Sequence, residues 1–189
     1  MATKSVTVQT FHPAKPSRIS DKFGTHGETR KKLGLGPHRG LDYSVQTGTD
    51  LIAIGTGRVK NIGETKILGY FIEISAPVII DGKLEVKIFG YYHLATDQTL
   101  AYKIGDPIKG GQILCKSGNT GSASSGPHLH LMAGDKINLA TNPVEDPLAL
   151  IEACLTPQTI QVAVKEDADE TAKPAAAAKK PAPKKRPTK

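Results

Sequence analysis

Pro77-Val-Ile-Ile-Asp-Gly-Lys-Leu-Glu-Val-Lys-Ile-Phe89 sets two β-rich runs on either side of Asp81-Gly82. An Asp-Gly pair flanked by such runs marks a tight hairpin turn, because both central positions tolerate positive φ. Phe71-Ile-Glu-Ile-Ser75 just upstream alternates apolar and polar side chains, as does part of Leu84-Glu-Val-Lys-Ile-Phe89. Period-two alternation is the pattern of half-buried strands. Outward from this hairpin, glycines at 55, 57, 63, 69, 90, 105, 110, 111, 118 and 121 punctuate the chain. Short strands joined by many turns are therefore expected, with Val6-Thr-Val-Gln-Thr-Phe11 as a further candidate strand near the start. Asp146-Pro-Leu-Ala-Leu-Ile-Glu-Ala-Cys-Leu155 is the one stretch that reads as a helix, with Asp146 as N-cap and Pro147 at the first helical position.

The expected fold is mainly β: an antiparallel sandwich or sheet core with Gly-rich loops, one short C-terminal helix and a disordered basic tail. The expected division is an arm over 1–16, one domain over 17–155 and a tail over 156–189. The 189 residues suffice for one well-packed domain.

The net charge of +7 is a property of one end. Seven basic residues and no acidic one fall between Thr171 and Lys189, so everything before them carries 18 of each sign. A nucleic-acid-binding domain would place its basic patch on the fold, so specific nucleic-acid recognition is not expected. The Ala/Lys/Pro composition of that end cannot bury enough apolar surface to offset its ordering entropy. It is suited to unspecific attraction to anionic polymers of a cell envelope, or simply to keeping the chain soluble. No apolar run reaches the roughly 18 residues a membrane span needs. Met1 to Ser17 lacks the apolar core of a secretory signal. Synthesis in a cytoplasm and a monomeric state are expected. Cys115 and Cys154 lie in no metal-ligand spacing and read as two buried or half-buried thiols, with a disulfide left open.

The chemistry is carried by histidines. His38-Arg-Gly-Leu-Asp42 presents an imidazole and a carboxylate four apart, and His128-Leu-His130 presents two imidazoles two apart. On a strand the latter pair projects from one face. Imidazole nitrogen and carboxylate oxygen suit zinc, and three protein ligands with one open position make a catalytic centre. On spacing alone these side chains also fit surface histidines or satisfied core histidines.

The surrounding segments narrow the choice. Gly36-Pro-His-Arg-Gly-Leu-Asp-Tyr43 resembles the first zinc motif of the M23 peptidases of lysostaphin/LytM type. Gly118-Asn-Thr-Gly-Ser-Ala-Ser-Ser-Gly-Pro-His-Leu-His130 resembles the second. Tyr91-Tyr-His-Leu94 between them resembles the family's Tyr-x-His-Leu segment, and the stretches 48–59 and 105–114 also fit, so the resemblance covers about 17–145.

The resemblance implies a zinc endopeptidase acting on peptidoglycan peptides. It makes His38, Asp42 and His130 the Zn2+ ligands and His93 and His128 the catalytic pair. Asn119, Ser124, Ser125 and Tyr91 become candidate substrate contacts, and the loop 24–37 one wall of a groove. Tyr92 departs from the family pattern, which often has a small residue there. A bacteriophage lysin, acting in the wall or periplasm after release or as part of a virion, is the expected setting. The alternatives are a non-catalytic LytM-like binding or regulatory module, a phosphocarrier or biotinyl-type β-sandwich, and a nucleic-acid binder driven by the tail.

Overall fold

A computed structural model of the chain describes residues 2–15, 18–32, 34, 36–95 and 101–163. The basic tail expected to be disordered lies outside the described residues from 164 onward.

The fold is mainly β and antiparallel, as the hairpin pattern implied. Seven strands form the main sheet: β2 (Ile19–Asp21), β3 (Leu41–Tyr43), β5 (Gly57–Thr65), β6 (Gly69–Ile80), β7 (Lys83–Leu94), β8 (Pro107–Ile108) and β10 (Leu129–Gly134). Their spatial order is β2-β3-β10-β7-β6-β5-β8. Two further pairs stand apart: β4 (Asp50–Ile52) with β9 (Ile113–Lys116), and β1 (Thr3–Val8) with β11 (Gln158–Ala163).

The long hairpin β6–β7 is the spine of the molecule. It runs in register from Ile80↔Lys83 back to Ser75↔Ile88, and its turn places Asp81 at φ 50 and Gly82 at φ 72. Two positive φ values in succession match a primed turn, whose twist suits the flanking strands. Ile74, Val78, Phe89, Tyr91 and Leu131 lie in one buried cluster with Leu41, Leu51, Leu114 and Ile151.

The structure corrects three expectations. The chain does not leave the fold at residue 155, because Gln158–Ala163 pairs with Thr3–Val8 along its whole length. Arm and early tail each supply a ladder partner for one edge of the other. A second helix, α1 (Glu28–Lys32), stands beside the expected one, α2 (Pro147–Glu152), which Asp146 caps by accepting from the Leu148 N–H at 2.9 Å. Glu73, which the alternation placed on a solvent face, is wholly buried; Lys87 of β7 is 5% exposed. Cys115 and Cys154 are free thiols, both buried.

Candidate metal centre

Four adjacent segments deliver the site. β3 carries Asp42, the loop before it His38, β10 His130 with His128 just ahead, and the end of β7 carries His93. His130 lies directly opposite Asp42 on β3 and opposite Tyr92 on β7. Ring spacing on this face is tight: His93 and His128 centroids are 4.7 Å apart, and His93 and His130 5.8 Å.

The side chains His38, Asp42 and His130 converge, one ligand atom from each lying within 4.8 Å of the others. His38 Nε2 is 3.2 Å from His130 Nδ1 and 3.3 Å from Asp42 Oδ1, and His130 Nδ1 is 2.7 Å from the same oxygen. A tetrahedral zinc ion with bonds of about 2.1 Å needs donors about 3.4 Å apart, so two of the three separations already match. The chemistry of the set, two imidazoles and a carboxylate, also fits zinc.

Backbone carbonyls select the tautomers. The Nδ1–H of His38 donates to the Lys22 carbonyl at 3.0 Å, that of His93 to Thr120 at 2.7 Å and that of His128 to Gly126 at 2.8 Å. A carbonyl only accepts, so each neutral ring keeps its proton on Nδ1 and its lone pair on Nε2. The Asp21 carboxylate adds a second acceptor 3.4 Å from His38 Nδ1.

Electrostatics sort the groups. Burial presses the His38 pKa down, but the hydrogen bond and charge of Asp42 outweigh it and the net shift is upward. Burial dominates at His130 and lowers it. Burial likewise lowers His93, to about 4, against the pull of the Thr120 carbonyl. Asp42 resists its own desolvation because His130 and His38 hydrogen-bond to it, so its carboxylate stays far below the usual range.

Two backbone features make room. A Cβ on Gly40 would sit 2.5 Å from the His130 ring, so only glycine fits inside the His-Arg-Gly-Leu-Asp segment. His93 adopts φ 61, a conformation uncommon for a residue with a side chain and frequent at functional sites.

Not every candidate contact joins the site. Tyr91 is fully buried; its hydroxyl donates to the Ile52 carbonyl at 3.0 Å and accepts from the Ile54 N–H at 2.9 Å. It braces β4 and has no surface to offer a substrate. Ser124 gives its hydroxyl proton to Asn119 Oδ1 at 2.6 Å or to the Gly126 carbonyl at 3.0 Å, and so shapes the loop beneath His128. Asn119 and Ser125 are exposed on that same loop. Sequence reasoning passed over Asp21, Arg39 and Glu73; none sits in a spacing that marks it, and each acts through a fold-dependent contact.

The model of Peptidase family M23 matches residues 36–143, a span that contains all five of these histidine and aspartate positions. The chain belongs to peptidase family M23. Among relatives of this M23 chain, glycyl-glycine endopeptidase ALE-1 of Staphylococcus capitis is 34% identical over 123 residues, 64% of this chain and 31% of that protein. Peptidoglycan DD-endopeptidase ShyC of Vibrio cholerae is 33% identical over 113 residues, 60% of this chain and 24% of that protein. The lysostaphin catalytic domain of Staphylococcus simulans superposes with a TM-score of 0.57 at 27% identity, covering 72% of this chain and 93% of that one. A mutant of the catalytic domain of the prophage-encoded M23 protein EnpA from Enterococcus faecalis gives 0.54 at 26% identity, covering 72% and 92%. The M23 chain spans only 28%, 31% and 22% of the first three curated relatives it matches.

Proposed function

We propose that this M23 chain is a zinc-dependent endopeptidase that hydrolyses peptide bonds in bacterial peptidoglycan. The observation that carries the reading is the convergence of His38 Nε2, Asp42 Oδ1 and His130 Nδ1 beside two further histidines with free Nε2 lone pairs. His38, Asp42 and His130 would hold the ion. Zinc, when bound, supplies a Lewis acid that polarises a carbonyl and lowers the pKa of water from about 15.7 towards 7.

The chain's own residues supply the rest. Burial keeps His93 neutral at physiological pH, with Nε2 open to take a proton from the attacking water. His128 Nε2 lies 3.9 Å from Asp42 Oδ1, beside the same ligand set. The proton taken at Nε2 of His93 would pass to the leaving amine, and His128, whenever its Nε2 also carries a proton, would donate to the developing oxyanion. Asn119 and Ser125, both exposed, would hydrogen-bond an extended peptide.

The peptidoglycan endopeptidases among the relatives support this substrate class, and the prophage-encoded neighbour supports a setting in phage lysis. In that setting the chain is made in the host cytoplasm and acts on the wall after release or from a virion. Its basic end, from Lys173 to Lys189, would bind anionic envelope polymers through charge.

The test is turbidity clearing of purified walls by the full chain, with zinc, with chelator and after zinc is restored. Mass spectrometry of the released fragments then identifies the bond cut. Clearing that depends reversibly on zinc is expected; zinc-loaded protein that binds walls and releases no fragment would make the chain a binding module instead.

A further inference from the structure

Among the described residues Glu73 is the only fully buried acid, and the proton transfers above do not use it. Its Oε1 accepts from the Tyr92 hydroxyl at 2.6 Å and the Leu139 N–H at 2.9 Å. Its Oε2 accepts from the Asn138 N–H at 2.8 Å and from Asn61 Nδ2 at 3.1 Å. Four donors on two oxygens call for a carboxylate; a glutamine in the same place would turn an NH2 group against one pair of them.

Each arm of this network ends at the metal centre. Tyr92 lies opposite His130 in the β7–β10 register, stacks on Phe71 at 5.5 Å and brings its ring centroid to 6.0 Å from that of His130. It also immediately precedes His93. On the other arm, the Asn138 and Leu139 N–H groups that bond Glu73 belong to a turn in which Asn138 has φ 60, and the carbonyls that follow face Arg39. Leu139, Ala140 and Asn142 accept at their carbonyls from the Arg39 guanidinium, at 3.1, 2.9 and 2.5 Å. Arg39 is the neighbour of His38.

We propose that Glu73 is a positioning residue of the metal centre, holding His130 through Tyr92 and His38 through the 138–142 loop and Arg39. The inference rests on the zinc reading above. It also explains Tyr92, the departure from the family pattern, because its hydroxyl is a link that a small residue could not provide.

The experiment titrates Zn2+ into metal-free full-length protein against a chromophoric chelator and records the visible spectrum of the Co2+ form. Glu73→Gln, Tyr92→Phe and Arg39→Met should each weaken zinc binding about ten-fold or more and shift the Co2+ bands. Glu73→Gln/Tyr92→Phe should bind no more weakly than Glu73→Gln alone, because both cut one network. Arg39→Lys should recover part of the Arg39→Met loss. Zinc affinities within two-fold of the parent and unmoved Co2+ bands, in variants that remain folded at the assay temperature, would overturn the proposal. Should Glu73→Gln fail to fold, Tyr92→Phe and Arg39→Met decide by the same two readouts. A parent protein that takes up no zinc sinks the metal reading and this inference together; tight uptake with indifferent variants sinks this inference alone.

Discussion

His130 and Asp42, 88 positions apart in the chain, are direct register partners on β10 and β3, and their Nδ1 and Oδ1 atoms lie 2.7 Å apart. Neighbouring strands therefore place the two donors before any ion arrives, so the carboxylate is prepositioned. Asp42→Asn keeps the shape and removes the charge. It should lower zinc affinity more than about 100-fold, beyond what a supporting residue supplies, and abolish wall clearing; competition with a chelator measures the first.

His93 and His128 should separate from the ligands by their kinetics. His93→Ala and His128→Ala are expected to retain zinc while losing about 10²- to 10⁴-fold in kcat, the usual share of a positioned acid or base. Metal content measured alongside turnover on a soluble peptide checks this, and loss of zinc in either variant would assign it to the ligand set.

The lowered His93 pKa, about 4 against an ordinary 6.5, has a consequence for the metal-free protein. Between these values the unfolded chain binds a proton that the folded one refuses, so folding stability rises with pH across that window. The contribution is complete above 6.5, is lost as the pH falls to 4, and amounts to at most about 3.5 kcal/mol at about 1.4 kcal/mol per unit. Urea unfolding of chelator-treated parent and His93→Gln, compared at pH 4.5 and 7, should show the difference shrinking in the variant.

Lys87 gathers Glu85, Asp135 and Glu145 at 3.0, 2.8 and 2.9 Å, six residues along β7 from His93. Those carboxylates are partly exposed, so solvent screens much of the attraction. Lys87→Met should cost about 1–2 kcal/mol in chemical denaturation and leave zinc affinity and kcat within two-fold of the parent.

Truncation separates strand from tail. A chain ending at 163 should keep its melting temperature and lose wall binding, whereas one ending at 155 strips β1 of its partner and should melt several degrees lower. Sedimentation with purified walls reads the first effect and thermal unfolding the second.

Much of the site was legible because its donors lie in short, local words. His38-Arg-Gly-Leu-Asp42 and His128-Leu-His130 declare their spacing, and the Asp81-Gly82 turn declares the hairpin that carries His93. Burial was less legible. Glu73 stands in an alternating strand whose polar side reads as solvent-facing, and only the return of the 138–139 backbone and the Tyr92 hydroxyl makes that face interior. Tyr91 misled in the opposite direction, since its place in a site segment says nothing of which way its ring points. The β1–β11 pair was out of reach for a third reason: two polar-rich segments over 150 residues apart carry no mark of their mutual complementarity.

That same pairing sets Thr3 against Ala163, about 5 Å apart as Cα partners of an antiparallel ladder. A few glycines could splice these positions, and the chain could be reopened between Asp81 and Gly82 at the exposed hairpin tip. A circularly permuted molecule of this kind would begin and end on the β6–β7 spine, still able to assemble the cluster of imidazoles from strands whose order of synthesis had been exchanged.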